Sequence, residues 1–267
     1  MTPAPLAGRV AVVTGALGRL GPVWCEALLD AGATVAGIDL AGAPQPREVQ
    51  AMQKRHPAGL RLYRADVRDR AALDKVRVQC DADLGVATVL VNNAGIDTPP
   101  GPTKTYLIED IPTEVFRGVL EVNLLGAFNA LQVFGPAMVQ LGRGSIINIG
   151  SLYACVSPDA RFYDHLGSKP PFLKPPAYGA SKAALVNLTR YLATHWGPSG
   201  VRVNALSPGG VEGGQDDAFK RKFTARVPMG RMAKAPDLGG PLIFLASDAS
   251  SYVTGIELMV DGGFTAW

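Results

Sequence analysis

Short apolar runs alternate with longer amphipathic stretches along the whole chain. The short runs are nearly continuous in Val, Ile, Leu and Ala, which is typical of strands buried on both faces of a parallel sheet. They predict strands at 9–15, 34–40, 60–67, 86–95, 144–151, 201–209 and 256–263. Apolar positions at helical spacing predict helices between them, at 20–31, 46–56, 69–83, 112–140, 177–197 and 236–247.

This alternation predicts an α/β fold of the doubly wound Rossmann type, with a seven-stranded, mainly parallel sheet and helices on both faces. No repeat or composition break divides the chain, so residues 1–267 are expected to form a single domain. Two stretches depart from the pattern. Residues 152–176 hold five prolines, and residues 210–235 are rich in glycine and charge. Because long irregular segments are commonly functional, we expect a substrate-side insertion at 152–176 and a lid at 210–235.

The composition narrows the class of protein. Apolar residues make up 47% of the 267 and charged residues 18%, which favours a sizeable core over disorder. The net charge is +3 without a dense basic run, so neither nucleic acid nor a membrane is expected as a partner. No stretch reaches the ~20 apolar residues that cross a bilayer, and the first residues do not resemble a secretory signal. Dispersed Cys25, Cys80 and Cys155 are typical of reduced thiols in a cytoplasmic protein.

The sequence "TGALGRLG" at 14–21 follows the first predicted strand and opens the first predicted helix. Glycines there permit a tight turn and let the backbone approach a pyrophosphate, which the helix N-terminus attracts. Asp39 ends the second strand, 24 residues after Gly15. A carboxylate at that place can accept hydrogen bonds from the ribose of NAD and would repel a 2′-phosphate. A purely structural turn with a strand-end Asp would leave the same pattern.

In "YGASK", Tyr178 and Lys182 are spaced i, i+4 on a strongly helical stretch and share one face. A phenol with its usual pKa of about 10 is a poor base at neutral pH. An ammonium group one turn away, together with the positive charge of an oxidised nicotinamide, would lower that pKa. Such a tyrosine can remove the proton of an alcohol as hydride leaves its carbon, or donate one in the reverse reduction.

Taken together, these motifs resemble the short-chain dehydrogenase/reductase family. The resemblance covers essentially the whole chain and rests on "VVTGALGRLG", "NNAG", "VNLLGAF", "INIGS", "YGASK", "NALSPGGV" and "VDGG", in that order. It implies an oxidoreductase that uses a nicotinamide dinucleotide to interconvert alcohols and ketones. No metal is implied.

The resemblance also implies roles for single residues. Tyr178 would be the general acid/base, Lys182 would lower its pKa and hold the nicotinamide ribose, and Ser151 would orient the substrate oxygen. Asn123 would support a proton-relaying water, although it could instead satisfy backbone groups in a helix kink. Tyr178 and Lys182 are also among the implied cofactor-binding residues, which further comprise Gly15, Arg19, Leu20, Gly21, Asp39, Asp66, Val67, Asn92, Asn93, Ala94, Gly95, Pro208, Gly209 and Val211.

Three departures from the family pattern bear on function. Arg19 replaces the middle glycine of the turn, and either contacts the cofactor's phosphates or ribose or points to solvent. Gly213 stands where a threonine often bonds the nicotinamide amide, so backbone groups around Val211 or another side chain must anchor it. Ser151 and Tyr178 are 27 residues apart, roughly twice the family's usual separation. That longer insertion brings Arg161, Tyr163, Asp164 and His165, which are expected to bind a polar substrate unless the insertion only mediates subunit contacts.

These features predict an NAD-dependent dehydrogenase of a small polar substrate such as a sugar, sugar acid or cyclitol, with NADP the less favoured cofactor. The alternatives are an NADPH-dependent 3-oxoacyl thioester reductase or other carbonyl reductase and, in another class, a non-catalytic nucleotide sensor. By resemblance, the protein is expected to form a homo-oligomer, a tetramer or a dimer. Phe264 and Trp267 near the C-terminus are expected to be exposed at such an interface.

Overall fold

The computed structural model describes residues 4–98 and 105–267. Seven strands form one sheet: β1 Val10–Thr14, β2 Thr34–Asp39, β3 Leu60–Arg64, β4 Val89–Asn92, β5 Gly144–Ile149, β6 Val201–Pro208 and β7 Glu257–Val260. Their spatial order is β3-β2-β1-β4-β5-β6-β7, and every neighbouring pair is parallel. The predicted fold class is therefore confirmed, and each predicted strand is present.

The helices are α1 Gly21–Asp30, α2 Arg47–Arg55, α3 Arg70–Leu84, α4 Thr113–Leu120, α5 Ala127–Gln140, α6 Pro176–Trp196, α7 Asp217–Thr224 and α8 Ala235–Ala246. They cover both faces of the sheet. Successive residues of a strand point to opposite faces, so each strand packs against helices on both sides. Ala11 and Val13 pack in the cluster that includes α1 and α8. Val10 and Val12 pack in the cluster that includes α3, α5 and α6. Because the strands are buried on both faces, nearly all of their residues are apolar.

The stretch predicted as one helix at 112–140 contains a π-helical turn, Glu121–Gly126, between α4 and α5. By length and composition alone, Thr113–Gln140 could span a membrane, but half of its most apolar window is buried inside the protein, as in a core helix. The turn holds Asn123 fully buried. Single π turns inside α-helices are frequent at functional sites.

The order of the strands reverses between β1, which pairs with β2, and β4. In an open parallel sheet, ligands bind in the crevice beyond the carboxyl ends of the strands at this switch point. The "TGALGRLG" turn follows β1 there, and Asn93–Gly95 follow β4. Both motifs therefore lie at one crevice.

The insertion at 152–176 packs against α7, which lies in the segment 210–235; that segment is called the lid below, after its expected role. Phe162 lies edge-on to Phe219 and Phe223, with ring centroids 6.0 Å and 5.6 Å apart. Phe264 joins this cluster and is only 2% exposed, so the expectation that it is exposed is wrong. The aromatic residues of both segments bury one another, which draws Phe264 inward. Trp267 is 76% exposed, as expected.

Candidate active site

The proposed catalytic side chains come from three elements that meet beyond the carboxyl end of the sheet. Ser151 follows β5, Asn123 lies in the π turn, and Tyr178 and Lys182 lie one turn apart on α6. The Ser151 hydroxyl is hydrogen-bonded to Tyr178. The Lys182 Nζ lies 5.8 Å from the centroid of the Tyr178 ring. The structure therefore brings together all the side chains that the sequence singled out for proton transfer.

Burial lowers the pKa of the Lys182 ammonium. Its Nζ donates a hydrogen bond of 2.8 Å to the carbonyl of Ile149, at the end of β5. The side chain is 4% exposed, and desolvation lowers its pKa to about 8. The Asp97 carboxylate acts in the opposite direction and favours the charged form. An ammonium held this way can exchange its proton near physiological pH.

The pKa of Tyr178 is raised in the protein alone. Burial is the largest cause, and the negative charge of Asp97 adds to it, while the hydrogen bond from Ser151 and the charge of Arg19 lower the pKa. The direction is opposite to the lowered pKa expected from the Tyr–Lys pair, because desolvation outweighs the favourable neighbours. The phenol is accordingly held in its neutral form, ready to donate a proton.

Asn123 joins the loop after β4 to α6. Its Oδ1 accepts from the Ile96 backbone N–H at 2.7 Å, and its Nδ2 donates to the Ile96 carbonyl at 3.0 Å and to the Ser181 hydroxyl at 3.1 Å. A side chain at Gly95 would place its Cβ 3.3 Å from Asn123 Oδ1 and 3.6 Å from Lys182 Nζ. Asn123 therefore fixes the backbone beside Lys182, and glycine leaves room for both side chains.

The glycine-rich turn is held against the end of β4. Gly15 has a φ of +66°, and a Cβ there would lie 2.8 Å from Ala94 Cα. The Asn93 Nδ2 donates to the carbonyls of Thr14 and Gly15, at 3.1 Å and 2.9 Å. Asn93 accordingly shapes the turn, and "NNAG" supports the crevice by this contact.

Asp39 lies at the carboxyl end of β2, beside the same turn. Its carboxylate accepts from the backbone N–H groups of Leu17 and Leu40, at 2.7 Å and 2.8 Å. Carboxylate oxygens have further lone pairs, so the group can still accept from ribose hydroxyls. The turn at the start of α1 suits a pyrophosphate and the Asp39 carboxylate suits ribose hydroxyls, so these residues fit a dinucleotide.

The remaining implied cofactor residues fall into two groups. Asn92 is buried inside the sheet and donates 2.8 Å to Asn148, and Asp66 pairs with Arg68. The pKa of Asp66 is lowered mainly by that hydrogen-bonded arginine, while Asp69, not Asp66, caps α3. The others lie at the edge of the crevice, with Leu20 and Gly21 at the start of α1, Val67 after β3, Ala94 and Gly95 after β4, and Pro208, Gly209 and Val211 at the end of β6.

Arg19 is exposed, and among the described residues it pairs with no carboxylate. Its Nη2 donates to the carbonyl of Val211, at 2.7 Å. The same carbonyl accepts from Gln215 Nε2 at 2.9 Å. Arg19 therefore connects the turn after β1 with the first residues of the lid.

The polar side chains of the insertion form ion pairs. Arg161 pairs with Asp159 and is 81% exposed, while Asp164 and His165 pair with Lys222 and Asp216 of the lid. Asp164 and His165 thereby join the insertion to α7, and the expected role of these side chains at the substrate stays a prediction. Tyr163 is buried against Phe172 and Phe219.

Lys174 and Asp97, which sequence reasoning missed, lie beside the catalytic tyrosine. They form an ion pair in which the Lys174 side chain is 10% exposed. The Lys174 Nζ lies 5.4 Å from the centroid of the Tyr178 ring and 6.0 Å from that of Tyr153. The available signal was position in the sequence, since Lys174 precedes Tyr178 by four residues and Asp97 follows "NNAG" closely. Within 4–98 and 105–267, no group of three or more His, Cys, Asp and Glu could hold a metal ion.

Comparison with known proteins identifies the class. A family model described as "Enoyl-(Acyl carrier protein) reductase" matches residues 15–265. The chain belongs to the short-chain dehydrogenase/reductase family. The resemblance drawn from the motifs is confirmed.

Several curated relatives are similar over nearly their full length. A galactitol 2-dehydrogenase from Rhizobium johnstonii is 33% identical over 270 residues, covering 98% of this chain and 97% of its own. A D-threitol dehydrogenase from Mycolicibacterium smegmatis is 32% identical, covering 97% and 94%. A 3-oxoacyl-[acyl-carrier-protein] reductase from Thermotoga maritima is 31% identical, covering 97% and 98%.

Two solved structures share the fold. A gluconate 5-dehydrogenase from Burkholderia cenocepacia, in complex with NADP and tartrate, is 28% identical with a TM-score of 0.83, covering 99% of this chain and 98% of its own. A short chain dehydrogenase from Leptospira borgpetersenii with bound NAD+ is 30% identical with a TM-score of 0.83, covering 97% and 94%. Relatives of this chain thus bind either nicotinamide dinucleotide.

Proposed function

We propose that the protein is an NAD(H)-dependent dehydrogenase that interconverts a secondary alcohol and a ketone on a small, uncharged polyol. The observation that carries this proposal is the hydrogen-bonded pair of Ser151 and Tyr178, set beside buried Lys182 and next to the ion pair of Lys174 with Asp97.

A bound nicotinamide dinucleotide supplies the hydride acceptor for oxidation. Ser151 donates to the substrate oxygen and orients it, and Tyr178 takes the hydroxyl proton. Lys182 in its neutral form, which burial favours by lowering its pKa to about 8, accepts the phenol proton of Tyr178 as Tyr178 takes the proton of the substrate hydroxyl. Asn123 holds the loop after β4 in place beside Lys182. The steps run in reverse for reduction.

The ion pair beside Tyr178 favours an uncharged polyol over a sugar acid. Asp97 can accept from two hydroxyls and Lys174 can donate to another, so the pair suits a substrate with several hydroxyl groups. Asp97 also compensates the charge of Lys174, which removes the attraction that an unpaired ammonium would have for a carboxylate. The names of the galactitol and threitol dehydrogenases support this choice, whereas the gluconate 5-dehydrogenase shows that acidic substrates occur on the same fold.

NAD is the cofactor that the residues after β2 favour. The carboxylate of Asp39 would repel a 2′-phosphate, and the next residue is the apolar Leu40. Arg64, on the neighbouring strand, is hydrogen-bonded to the carbonyls of Leu40 and Ala43. The Arg64 guanidinium is therefore engaged by backbone carbonyls beside Asp39.

The test compares kcat/KM for galactitol and threitol with kcat/KM for the matching aldonates, galactonate and threonate, using NAD+. Hydrogen bonds to charged groups contribute about 1.5–3 kcal/mol, so roughly a tenfold or larger preference for the polyols is expected. Asp97→Asn should shift the ratio toward the aldonates by freeing Lys174. Equal or better use of aldonates by the wild type would contradict the substrate class.

A 3-oxoacyl thioester reductase is the second candidate, since a relative of that name is nearly as similar. Assays with a 3-oxoacyl thioester and NADPH separate the two, and a preference for these over polyol and NAD+ would refute the proposal. Tyr178→Phe tests the alternative of a nucleotide sensor: turnover should collapse while NAD+ binding persists. Undiminished turnover would refute the proton-transfer role.

We also propose that the protein is a cytoplasmic homo-oligomer, a dimer or tetramer. Exposed Trp267 supports an interface because aromatic residues are enriched there, and exposed, free Cys155 suits a reducing compartment. Light scattering of the purified protein tests the oligomeric state, and a monomer would refute it. Cell fractionation tests the compartment.

A further inference from the structure

The two departures from the family pattern in the cofactor crevice lie in contact with each other. Arg19 and Gly213 are far apart in sequence, on the turn after β1 and in the lid after β6. A Cβ at Gly213 would lie 2.4 Å from Arg19 Nη2 and 3.1 Å from Arg19 Cζ. The guanidinium therefore occupies the space that a side chain at position 213 would need.

A second side chain lies on the same backbone group. Both Arg19 Nη2 and Gln215 Nε2 donate to the Val211 carbonyl. The Oε1 of Gln215 is buried and has no hydrogen-bond partner among the described residues. A buried polar atom without a partner destabilises the protein, and a ligand that donates a hydrogen bond to it removes that cost.

The free groups of this cluster complement a primary carboxamide. A carboxamide needs an acceptor for its NH₂ group and a donor for its carbonyl. Gln215 Oε1 is a free acceptor, and the Arg19 guanidinium keeps further N–H donors beyond the one used on Val211. Arg19 alone would favour an anionic ligand, but the adjacent buried Oε1 of Gln215 disfavours an anion.

We propose that Arg19 and Gln215 bind the carboxamide of the nicotinamide cofactor, in place of a polar side chain at position 213. The inference rests on the proposed use of a nicotinamide dinucleotide. Glycine at position 213 leaves the guanidinium in this place, whereas a larger residue would displace it. The turn after β1 thereby supplies a polar group to the opposite side of the crevice.

The first experiment measures dissociation constants, by isothermal titration calorimetry, for NAD+ and for 3-acetylpyridine adenine dinucleotide. The analogue keeps the carbonyl but has a methyl group in place of the NH₂. It should bind the wild type about tenfold more weakly, because Gln215 Oε1 would stay unpaired. Gln215→Leu should weaken NAD+ binding and abolish the discrimination. Arg19→Gln should weaken both ligands alike, whereas Arg47→Gln, at an exposed position on α2, should change neither.

Discrimination that is absent in the wild type, or undiminished in Gln215→Leu, would overturn the assignment. A wild type that does not bind NAD+ at all would instead refute the proposed use of the cofactor.

The second experiment substitutes Arg19 and Gly213, singly and together, and does not depend on Gln215. Arg19→Gly removes the guanidinium, and Gly213→Thr displaces it, so each alone should weaken NAD+ binding roughly tenfold through loss of a charged hydrogen bond. The double variant Arg19→Gly/Gly213→Thr restores a polar side chain to the vacated space and should bind within about threefold of the wild type, a strongly non-additive result. Additive losses, near a hundredfold in the double variant, would overturn the proposal. Thermal unfolding of each variant verifies that it is folded.

Discussion

Lys182→Met tests the electrostatics of the buried lysine through the pH dependence of stability. The folded protein holds the Lys182 proton with a pKa of about 8, whereas the unfolded chain holds it with the ordinary value of 10.5. Between these values the unfolded state binds more protons, so the contribution of Lys182 to stability rises with pH. Below about pH 8 both states are protonated and burial of the charge destabilises the folded protein in full. Above pH 10.5 both states are neutral and that cost is gone.

The size of the effect follows from the two pKa values. They differ by about 2.5, and a pKa unit corresponds to about 1.36 kcal/mol, so the free energy of unfolding of the wild type relative to Lys182→Met should rise by about 3 kcal/mol. Taking the difference between the two proteins removes the titration of the other tyrosines and cysteines.

The assay is urea unfolding of both proteins, followed by tryptophan fluorescence from neutral pH to pH 10.5. Lys54→Met, which removes an exposed lysine of α2, is the control for the substitution itself. A difference between wild type and Lys182→Met that stays constant with pH would refute the reasoning. In that case the Lys182 ammonium would be as stable in the protein as in water, and its role as a proton acceptor from Tyr178 would lose its physical basis.

Further predictions concern other parts of the molecule. Asn123→Ala leaves the part-buried N–H and carbonyl of Ile96 without their side-chain partner and should lower the free energy of unfolding by about 1–3 kcal/mol; an unchanged urea midpoint would contradict this. Asp39→Ser should raise kcat/KM with NADP relative to NAD at least about tenfold by removing a charge that repels the 2′-phosphate, and an unchanged cofactor ratio would contradict the role of Asp39. Gly135→Ala places a Cβ 2.4 Å from the Trp196 ring and should destabilise the fold by about 1–3 kcal/mol, measured by urea unfolding, while an unaltered stability would mean that α5 and α6 can separate freely.

The strands and helices could be predicted because each leaves a local pattern. Parallel strands covered on both faces must be apolar at nearly every position, and the helices between them show helical spacing. The π turn in the middle of the predicted helix 112–140 leaves no such pattern, since one widened turn changes neither composition nor overall period. Asn123 was recognised only through the family motif, and its contacts to Ile96 and Ser181 required the structure.

The candidate site was predictable to the extent that its residues are neighbours in sequence. Tyr178 and Lys182 share a helical face, which follows from spacing alone. Lys174 and Asp97 are 77 residues apart, and their ion pair depends on how the insertion folds back over α6. Arg161 and His165 were expected at the substrate because the insertion begins and ends in the site. In the structure Arg161 contacts Asp159 and His165 contacts Asp216 of the lid, which the sequence alone does not indicate.

The same contacts join the insertion to the lid. Its middle is joined to α7 by the His165–Asp216 and Asp164–Lys222 pairs and by the packing of Phe162 on Phe219. Its last residues carry Lys174 to the face of Tyr178. The lid in turn contains Val211, to which Arg19 is bonded, and Gln215. The groups that would recognise the substrate hydroxyls and those that would hold the cofactor carboxamide are therefore parts of one packed unit. A change that loosens the aromatic cluster, such as Phe219→Ala, should weaken the binding of both ligands, although Phe219 belongs to neither site.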